Sequence, residues 1–392
     1  MNLLFIVESY PSIGGTEKVT SILAGLFEKE GIRVGVLALK SQENYVPIDL
    51  WSRELYVLPD KNREKWLDDF VFWFSPNLIV NQGPIYDDVL YSAFYDVPLV
   101  SVLHYAPDYK LMNSCHQIIK IYENRDVLSF KKKFIATVRH CFPVLFSYID
   151  YIRYERPRLL RLLRASSAFI VLAEGYEYQL KIAIPKELHY KVRSIENPME
   201  ESSIASVIKK EDVVIYVGRL TGWDKRPDRL LRVWEKVSKV FPTYKLIVVG
   251  DGPERHNLEI YSRDNNLSNV FFVGATSPTK YYKIAKVICI TSDSEGAPMV
   301  INEARSHGVI PIAINVSKGI ESLISDGKNG ILVPNQRNNE IALVSSYTQA
   351  LIDILHDTSR QDRMRSECLD AGSYNVGIIA KWTKLFNELV TI

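Results

Sequence analysis

The chain has 392 residues, of which 47% are hydrophobic and 24% charged, and its formal net charge is +2. This length predicts two domains of ordinary size, and the composition is typical of a soluble globular protein. Because the net charge is small, the overall charge gives no indication that the protein binds a polyanion such as a nucleic acid. The sequence has no uninterrupted apolar run of about 18 residues, so we expect no transmembrane helix.

Two local features bear on the compartment. The first seven residues are apolar but too short for a signal peptide, and they have no basic lead. They predict a first β-strand instead. The cysteines are far apart in sequence and have no metal-type spacing; they are Cys115, Cys141, Cys289 and Cys368. We therefore expect a cytoplasmic protein, in a reducing compartment.

The chain opens with one βαβ unit that has a glycine-rich loop at the carboxyl end of its first strand. We predict a strand at 2–8, a loop at 12–16, a helix at 17–29 and a strand at 32–39. Gly14 and Gly15 lie in that loop, where open α/β sheets bind ligands. The loop lacks the G-x-G-x-x-G spacing of a dinucleotide site. A plain tight turn is the alternative.

The next elements place a histidine at another strand end. We predict strands at 77–81, 98–103 and 168–172, and a helix at 63–74. His104 directly follows the second of these strands, again at a carboxyl end. A lone histidine is often structural, so both interpretations stay open at this point.

Residues 125–164 form a basic segment, with ten Lys or Arg against three acidic residues, mixed with aromatic residues and leucines. Its last part, 158–164, predicts a basic amphipathic helix. Such a face can lie on anionic lipid, with each basic group near the surface adding about 1 kcal/mol. The alternative is a solvated helix that packs its leucines on the core.

A polar linker, Asn197-Pro198 followed by 200–212, leads into a second α/β domain. Its predicted strands are 213–217, 245–249, 270–273, 287–290 and 309–314, with a closing turn and strand at 326–333 and late helices at 340–356 and 376–390. The late helices are expected to pack across the domain junction.

A loop after the strand 213–217 carries two cations, Arg219 and Lys225. Pro227 then opens a helix, in a position where its missing N–H costs nothing. A guanidinium and an ammonium around a strand-end loop suit a diphosphate, because one binds in a bidentate manner and the other is a point charge. Ordinary surface charge is the alternative.

The segment 291–308 predicts a strand end, a tight loop and a helix, with Pro298 at the first helical position. Gly296 lets the backbone approach a ligand, and the helix start favours an anion. Glu295 and Glu303 bracket that start, so they could address the hydroxyls at two ends of one elongated ligand. Two solvated glutamates are the alternative.

The seven residues between Glu295 and Glu303 give this segment the form E-x7-E, which resembles the signature of retaining glycosyltransferases of family 4. Gly296, Pro298 and Ala304 also fall where that family has them, whereas His307 replaces a small residue or cysteine. The resemblance covers nearly the whole chain, strongly from about 213 to 333 and weakly from 40 to 165.

The resemblance implies an α/β architecture, the GT-B fold, in which two Rossmann-like domains face each other across a cleft. Residues 1–198 would form the acceptor-binding domain and 199–375 the donor domain, and the helix 376–392 would return to the first. The loop of Gly14 and Gly15 would line the cleft beside the donor phosphates, and His104 would reach the transferred sugar. Gly250 and Gly274 would lie around the nucleotide base.

The resemblance also implies a division of roles. Catalytic roles fall to Glu295, Arg219, Lys225 and His104. Arg219 and Lys225 would stabilise the departing diphosphate, on which charge develops. The start of the helix would add its dipole, through Gly296, Ala297, Pro298, Met299 and Val300. Glu303 would hold the ribose hydroxyls, and Glu295 would orient the sugar.

We accordingly expect a UDP- or GDP-linked sugar as donor, no cofactor and no metal. Asp293 and Glu295 superficially resemble a metal-binding pair, but the nearby cations make a metal redundant. With no evident enzyme nucleophile, front-face attack is favoured. A lipid-linked acceptor in bacterial surface-polysaccharide synthesis is expected by analogy, and a glycogen- or sucrose-type soluble transferase stays open. So do a non-catalytic sugar-nucleotide-binding subunit and a sugar-nucleotide epimerase of the same architecture.

Overall fold

The computed structural model describes residues 1–9, 14–40, 54–83, 85, 87–123, 130–200, 209–336, 339–369 and 371–390. The chain divides into two compact units. The N-terminal unit comprises Met1–Ile195 and Ile379–Ile392, and the C-terminal unit comprises Glu196–Ile378. Within the described residues, no helix is both long and apolar enough to cross a membrane.

The N-terminal unit is built on a seven-stranded parallel sheet in the order β3-β2-β1-β4-β5-β6-β7. The strands are β1 Asn2–Ser9, β2 Arg33–Lys40, β3 Glu54–Val57, β4 Leu78–Asn81, β5 Leu99–Leu103, β6 Ala168–Val171 and β7 Val192–Ser194. Because β1 lies between β2 and β4, the order reverses there, which makes the carboxyl end of β1 a typical ligand-binding crevice.

The helices of this unit are α1 Gly15–Lys29, α2 Arg63–Phe74, α3 Asp88–Ala93, α4 Tyr109–Glu123, α5 Phe130–Cys141, α6 Pro143–Asp150, α7 Arg156–Ala165 and α8 Glu174–Ala183. A π-helical turn, Tyr151–Glu155, joins α6 to α7, and a 3₁₀ helix, Lys186–Lys191, precedes β7. The last helix of the chain, α16 (Ala371–Val390), adds Trp382 and Phe386 to this unit, and their rings pack on Phe27.

The C-terminal unit has a six-stranded parallel sheet in the order β10-β9-β8-β11-β12-β13. Its strands are β8 Val213–Val217, β9 Lys245–Val249, β10 Val270–Gly274, β11 Val287–Ile290, β12 Ile310–Ile314 and β13 Ile331–Val333. Its other helices are α9 Pro227–Val240, α10 Arg255–Asp264, α11 Thr279–Ile284, α12 Met299–Ser306, α13 Lys318–Leu323, α14 Glu340–His356 and α15 Thr358–Cys368. Here the order reverses at β8, whose neighbours are β9 and β11.

The predicted elements are present. Several have the predicted bounds, among them α2, β8, β9, β11 and α14. These strands are continuous apolar runs because a parallel strand between helical layers is buried on both faces. Pro227 is the first residue of α9, as predicted.

One prediction about local structure is wrong. Pro298 is not the first helical residue: its backbone is extended, at φ −68° and ψ 120°, and α12 begins at Met299. Pro298 is therefore the N-cap, because its carbonyl already accepts a hydrogen bond from the N–H of Ile301.

The sequence left two interpretations of α7, the basic helix: its apolar face could lie on lipid or pack its leucines on the core. Leu160, Leu162 and Leu163 are buried and belong to a core cluster with Phe169 and Val171 of β6. The alternative interpretation, a helix that packs its leucines on the core, is the one found. Residues 125–129 of the basic segment lie outside the described residues.

Candidate functional site

The loops that follow β8 and β11, residues 218–226 and 291–298, meet at the carboxyl edge of the C-terminal sheet. The N–H groups of Asp293 and Ser294 donate to the carbonyl of Asp224, at 2.7 and 3.4 Å. The hydroxyl of Thr291 donates to the carbonyl of Arg226 at 2.9 Å. We call these two loops, with the first turn of α12, the candidate donor site.

Lys225 and Glu295 form an ion pair between the two loops. Nζ of Lys225 lies 2.8 Å from both carboxylate oxygens of Glu295. The hydroxyl of Ser292 donates to Oε1 of Glu295 at 2.6 Å. An ammonium has three N–H donors, so this pairing orients Lys225 and leaves donor capacity for an anionic ligand.

Arg219, the second predicted cation, lies on the same loop but in a different environment. Its side chain is 70% exposed and its guanidinium is 3.6 Å from the carboxylate of the buried Asp224. The carbonyl of Arg219 accepts a hydrogen bond from Tyr216 at 2.9 Å. The structure thus holds the backbone of Arg219 in place and leaves its side chain accessible to a ligand.

The loop after β9 packs directly against the loop after β8. Gly250 has φ +139°, and a Cβ there would lie 1.9 Å from the carbonyl oxygen of Gly218. The N–H of Leu220 donates to the carbonyl of Asp251 at 2.9 Å, and that of Gly250 to the carbonyl of Gly274. Gly250 is therefore required by backbone packing; its predicted role near the nucleotide base, like that of Gly274, stays a prediction.

The residues at the start of α12 lie at the edge of this site. Ala297 is 8% exposed, and Gly296, Pro298, Met299 and Val300 are half-buried. The carbonyl of Gly296 accepts a hydrogen bond from Ser317 at 3.2 Å. This places the positive end of the helix dipole beside the loop that carries Glu295.

Both glutamates of the E-x7-E segment are buried, with Glu295 9% and Glu303 8% exposed. The alternative of two solvated glutamates is therefore wrong. Glu303 lies within α12, and its Oε2 accepts a hydrogen bond of 2.9 Å from the hydroxyl of Tyr282 in α11. Burial, and next the charge of Glu303, raise the pKa of Tyr282 well above its usual value, so it stays protonated and donates.

A network of charged residues behind the candidate donor site was missed by the sequence analysis. Arg229 is 1% exposed and donates to the carbonyl of Thr291 at 2.7 Å. Arg229 and Arg226 each bind the carboxylates of Asp293 and Glu340, at 2.7 to 3.0 Å. Only the folded structure reveals these pairs, because an arginine near a helix start usually faces solvent.

The acidic pair that superficially resembled a metal site has cationic partners. Asp293 is bound by Arg226 and Arg229, and Glu295 is bound by Lys225. The described ranges contain no group of three or more His, Cys, Asp or Glu arranged to hold a metal ion.

The remaining predicted residues lie in the N-terminal unit. Gly14 is the N-cap of α1 and Gly15 its first residue, while 12 and 13 lie outside the described residues. His104 follows β5, and its Nε2 lies 2.6 Å from Oε1 of Gln82, which follows the adjacent strand β4. Burial lowers the pKa of His104 to about 4, so its imidazole is neutral at physiological pH. Gln82 was missed, although its position at a strand end could have identified it.

Comparison with known proteins gives a family match and a relative that aligns over nearly its full length. The family model for glycosyl transferases group 1 matches residues 199–368. The chain is 25% identical over 98% of its length to the amylovoran biosynthesis glycosyltransferase AmsD of Erwinia amylovora, and covers 99% of that protein.

Two other relatives are matched over shorter segments. The chain is 29% identical over 63% of its length to the GalNAc-alpha-(1->4)-GalNAc-alpha-(1->3)-diNAcBac-PP-undecaprenol alpha-1,4-N-acetyl-D-galactosaminyltransferase of Campylobacter jejuni, covering 68% of that protein. It is 32% identical over 37% of its length to an uncharacterized glycosyltransferase of Haemophilus influenzae, and spans only 41% of that relative.

Solved structures share the fold over nearly the whole chain. TarM of S. aureus, in complex with fondaparinux, alpha-GlcNAc-glycerol and UDP, has a TM-score of 0.69 at 13% identity, with 98% of this chain and 99% of that chain covered. HepE of Anabaena, in complex with UDP and glucose, has a TM-score of 0.67 at 17% identity, with 99% and 100% covered. The predicted GT-B fold is thus confirmed, and the family match and curated relatives support a glycosyltransferase.

Proposed function

We propose that this chain is a retaining glycosyltransferase that moves a sugar from a UDP- or GDP-linked donor to an acceptor hydroxyl, with the donor held by the C-terminal unit. The observation that carries the proposal is the Lys225–Glu295 ion pair, which joins the loops after β8 and β11 beside the start of α12. A cation, a helix dipole and a buried carboxylate at one sheet edge suit a diphosphate joined to a sugar. Two solved structures of this fold bind UDP with a sugar.

In this proposal the residues have separate roles. Lys225 and Arg219 stabilise the diphosphate as the bond between its oxygen and the anomeric carbon breaks, because negative charge develops there. Glu295 orients the sugar ring, and Glu303 binds the ribose hydroxyls. The acceptor oxygen attacks the anomeric carbon on the face that the diphosphate leaves, and its proton passes to a phosphate oxygen of the leaving group. His104, being neutral, contacts the sugar as a hydrogen-bonding group.

We also propose that the reaction needs neither a metal nor a cofactor. The carboxylates of Asp293 and Glu295, which could otherwise bind a metal ion, already bind Arg226, Arg229 and Lys225. Lys225 and Arg219 supply the positive charge that a divalent ion would otherwise bring to the diphosphate. Full activity in EDTA is expected, and complete loss of activity in EDTA would overturn this part of the proposal.

The test of the donor site is a screen of UDP- and GDP-sugars, each followed for release of the nucleotide diphosphate in EDTA. Lys225→Ala should lower kcat by about 10²- to 10³-fold, the usual cost of removing one group that stabilises developing charge. Lys239→Ala is the matched control, because Lys239 lies on α9, is 71% exposed and pairs with Glu235 only at the surface. Unchanged turnover in Lys225→Ala would contradict the proposed role.

The rival functions give other results in the same screen. Silence with every donor, from a folded protein that binds nucleotide, would favour a non-catalytic subunit or strict acceptor dependence, which an added lipid-linked acceptor separates. An epimerase would return a sugar of altered configuration. A transferase of the proposed kind gives a glycoside with the anomeric configuration of the donor.

We propose further that the acceptor is a lipid-linked saccharide of bacterial surface-polysaccharide synthesis. Two relatives support this by name, one from amylovoran biosynthesis and one that acts on a PP-undecaprenol saccharide. Such an acceptor lies at a membrane. The protein would therefore work in the cytoplasm, at the inner face of the cell membrane, through residues 125–164.

Within that segment, α6 has an exposed apolar face. Val144, Leu145, Tyr148 and Ile149 of α6, with Ile152 in the next turn, are all between 41% and 68% exposed. Their spacing puts them on one face of a helix. Contiguous apolar side chains on a surface mark an interaction site.

Basic residues accompany this apolar face. Lys132, Lys133 and Arg153 are at least partly exposed, as are Phe134 and Phe142, with 66% and 60% exposure. Apolar and aromatic side chains that enter the interface, with basic groups beside them, favour an anionic bilayer. We therefore assign the lipid contact to α6 and its neighbours and not to the leucines of α7.

Liposome sedimentation tests the membrane contact. The wild-type protein should sediment with vesicles that contain anionic lipid, and less so as salt is added. Val144→Ser, Leu145→Ser and Ile149→Ser combined should weaken sedimentation, while Ile182→Ser, at a residue 69% exposed on α8, should not. Failure to sediment at low salt would remove the proposal, and self-association through α6 would show instead as a dimer in solution.

A further inference from the structure

Tyr282 is a buried residue whose side-chain hydroxyl makes a specific hydrogen bond. Its side chain is 1% exposed, and its hydroxyl donates to Oε2 of Glu303 at 2.9 Å. A phenylalanine could fill the same volume, so the hydroxyl is not needed for packing. A buried hydroxyl is retained at little cost only when its hydrogen bond is made.

The backbone around Tyr282 is also fixed relative to α12, which carries Glu303. Nζ of Lys210 donates to the carbonyl of Tyr282 at 2.7 Å and to that of His307 at 2.8 Å. His307 is the C-cap of α12 and Tyr282 lies in the last turn of α11, and cations are favoured at helix C-termini. Lys210 thus ties the ends of the two helices together.

The ring of Tyr282 makes a further contact with the same helix. It lies 5.5 Å from the imidazole of His307, centroid to centroid. Nδ1 of that imidazole is 2.9 Å from the carbonyl oxygen of Glu303. Tyr282 is therefore placed by a backbone bond, a ring contact and a hydroxyl, and all three involve α12 or its C-cap.

We propose that Tyr282 is a positioning residue for donor binding, holding the carboxylate of Glu303 in the orientation that receives the vicinal hydroxyls of the nucleotide ribose. The inference rests on the proposed function. A glutamate side chain loses rotamer freedom when it binds a ligand, and the hydrogen bond from Tyr282 removes part of that cost in advance. A carboxylate accepts about four hydrogen bonds, and the bond from Tyr282 takes up one of them.

Tyr282→Phe removes only the hydroxyl. We expect the Kd for UDP or GDP, measured by calorimetry, and the KM for the donor sugar to rise about tenfold, with kcat at saturating donor within about twofold of wild type. Tyr281→Phe is the matched control, because Tyr281 is the adjacent residue of α11, is partly exposed and contacts Lys280. That control should leave both constants unchanged.

A double-mutant cycle separates positioning from a general structural role. If Tyr282 acts through Glu303, Tyr282→Phe will change the nucleotide Kd less than twofold in a Glu303→Ala background. The wild type should also lose affinity when UDP is replaced by 2′-deoxy-UDP, and Tyr282→Phe should lose less. Equal weakening by Tyr282→Phe in both backgrounds would overturn the proposal.

The remaining outcomes separate this inference from the proposed function. A wild type that binds nucleotide and is unaffected by Tyr282→Phe would overturn the role of Tyr282 and leave the donor site standing. A folded wild type that binds neither UDP nor GDP would overturn both.

Discussion

Glu295 and Glu303 are both buried, yet the side chains that bind them differ in charge. Glu295 receives the ammonium of Lys225, and Glu303 receives the neutral hydroxyl of Tyr282. A buried carboxylate beside a cation has its charge compensated, and a hydrogen bond from a hydroxyl offsets part of the cost of burying a carboxylate. The proposed diphosphate-sugar end of the site thus carries a cation, Lys225, and the proposed ribose end carries a hydroxyl donor, Tyr282.

Lys210 shows a second effect of burial on a single residue. Burial, and next the charge of Arg365, lower its pKa from 10.5 to about 7. The nearby thiol of Cys368 stays neutral at these pH values, since burial raises its pKa to about 12. The unfolded chain thus binds more protons at Lys210 than the folded protein does between pH 7 and 10.5.

Because the unfolded chain binds more protons at Lys210, we predict that the contribution of Lys210 to the free energy of unfolding depends on pH. The free energy of unfolding of the wild type, relative to that of Lys210→Met, should increase from pH 7 towards pH 10 by roughly 1 kcal/mol per pH unit. Below pH 7 the penalty for burying the charge is fully present. Urea denaturation at a series of pH values measures this free energy of unfolding, and Lys239→Met, at an exposed lysine, is the control. Parallel curves for wild type and Lys210→Met would contradict the prediction.

At the scale of elements, α9 and α14 are joined by charge as well as by apolar packing. Arg229 of α9, which is almost fully buried, binds Glu340 in the first turn of α14 with two hydrogen bonds, of 2.7 and 2.9 Å. Glu340 is also favoured there by the helix dipole. Because α9 directly follows the loop of Lys225, this contact holds the candidate donor site against the rest of the unit.

We predict that Glu340→Gln destabilises the C-terminal unit. The change keeps the shape but weakens the charge-assisted bonds to the buried Arg229, and such bonds contribute about 1.5 to 3 kcal/mol. Urea denaturation should show a loss in that range. Glu235→Gln, also on α9, should cost much less, because its cationic partner Lys239 is 71% exposed and surface ion pairs contribute about 0 to 1 kcal/mol. Equal losses in the two variants would mean that Arg229 does not depend on Glu340.

At the scale of the whole molecule, each unit has its own parallel sheet and its own apolar core. In the C-terminal unit, one cluster of buried side chains joins the strands to α9 and α14, including Trp234 and Tyr347. A unit that buries its own core can fold alone. All the proposed donor-binding residues except Gly14 and Gly15 belong to this unit, whereas His104 lies in the other.

We therefore predict that a fragment of residues 196–378 folds and binds the nucleotide of the donor without the N-terminal unit. Circular dichroism would report its folding, and calorimetry with UDP and GDP its binding. Glu303→Ala in the fragment should weaken binding. A folded fragment that binds neither nucleotide would show that the N-terminal unit supplies necessary contacts.

The sequence alone predicted most of the elements, and it placed Lys225 and Glu295 in the loops that follow β8 and β11. Strands such as β8, β9 and β11 can be recognised in the sequence because parallel strands covered on both faces are continuous apolar runs. We singled out Glu295 and Lys225 as candidate ligand-binding residues because each follows the carboxyl end of such a strand, where open α/β sheets bind ligands. These are local properties of the chain.

Tertiary structure decided the partners and the exposure of these residues. Lys225 pairs with Glu295 across 70 positions of sequence, and Tyr282 reaches Glu303 from another helix. No spacing rule encodes either contact, because each depends on which strands become neighbours. The exposure of α6 and α7 could not be predicted for the same reason. Helical periodicity identifies an apolar face on each helix, but only packing shows that the leucines of α7 are covered and that the apolar face of α6 is exposed.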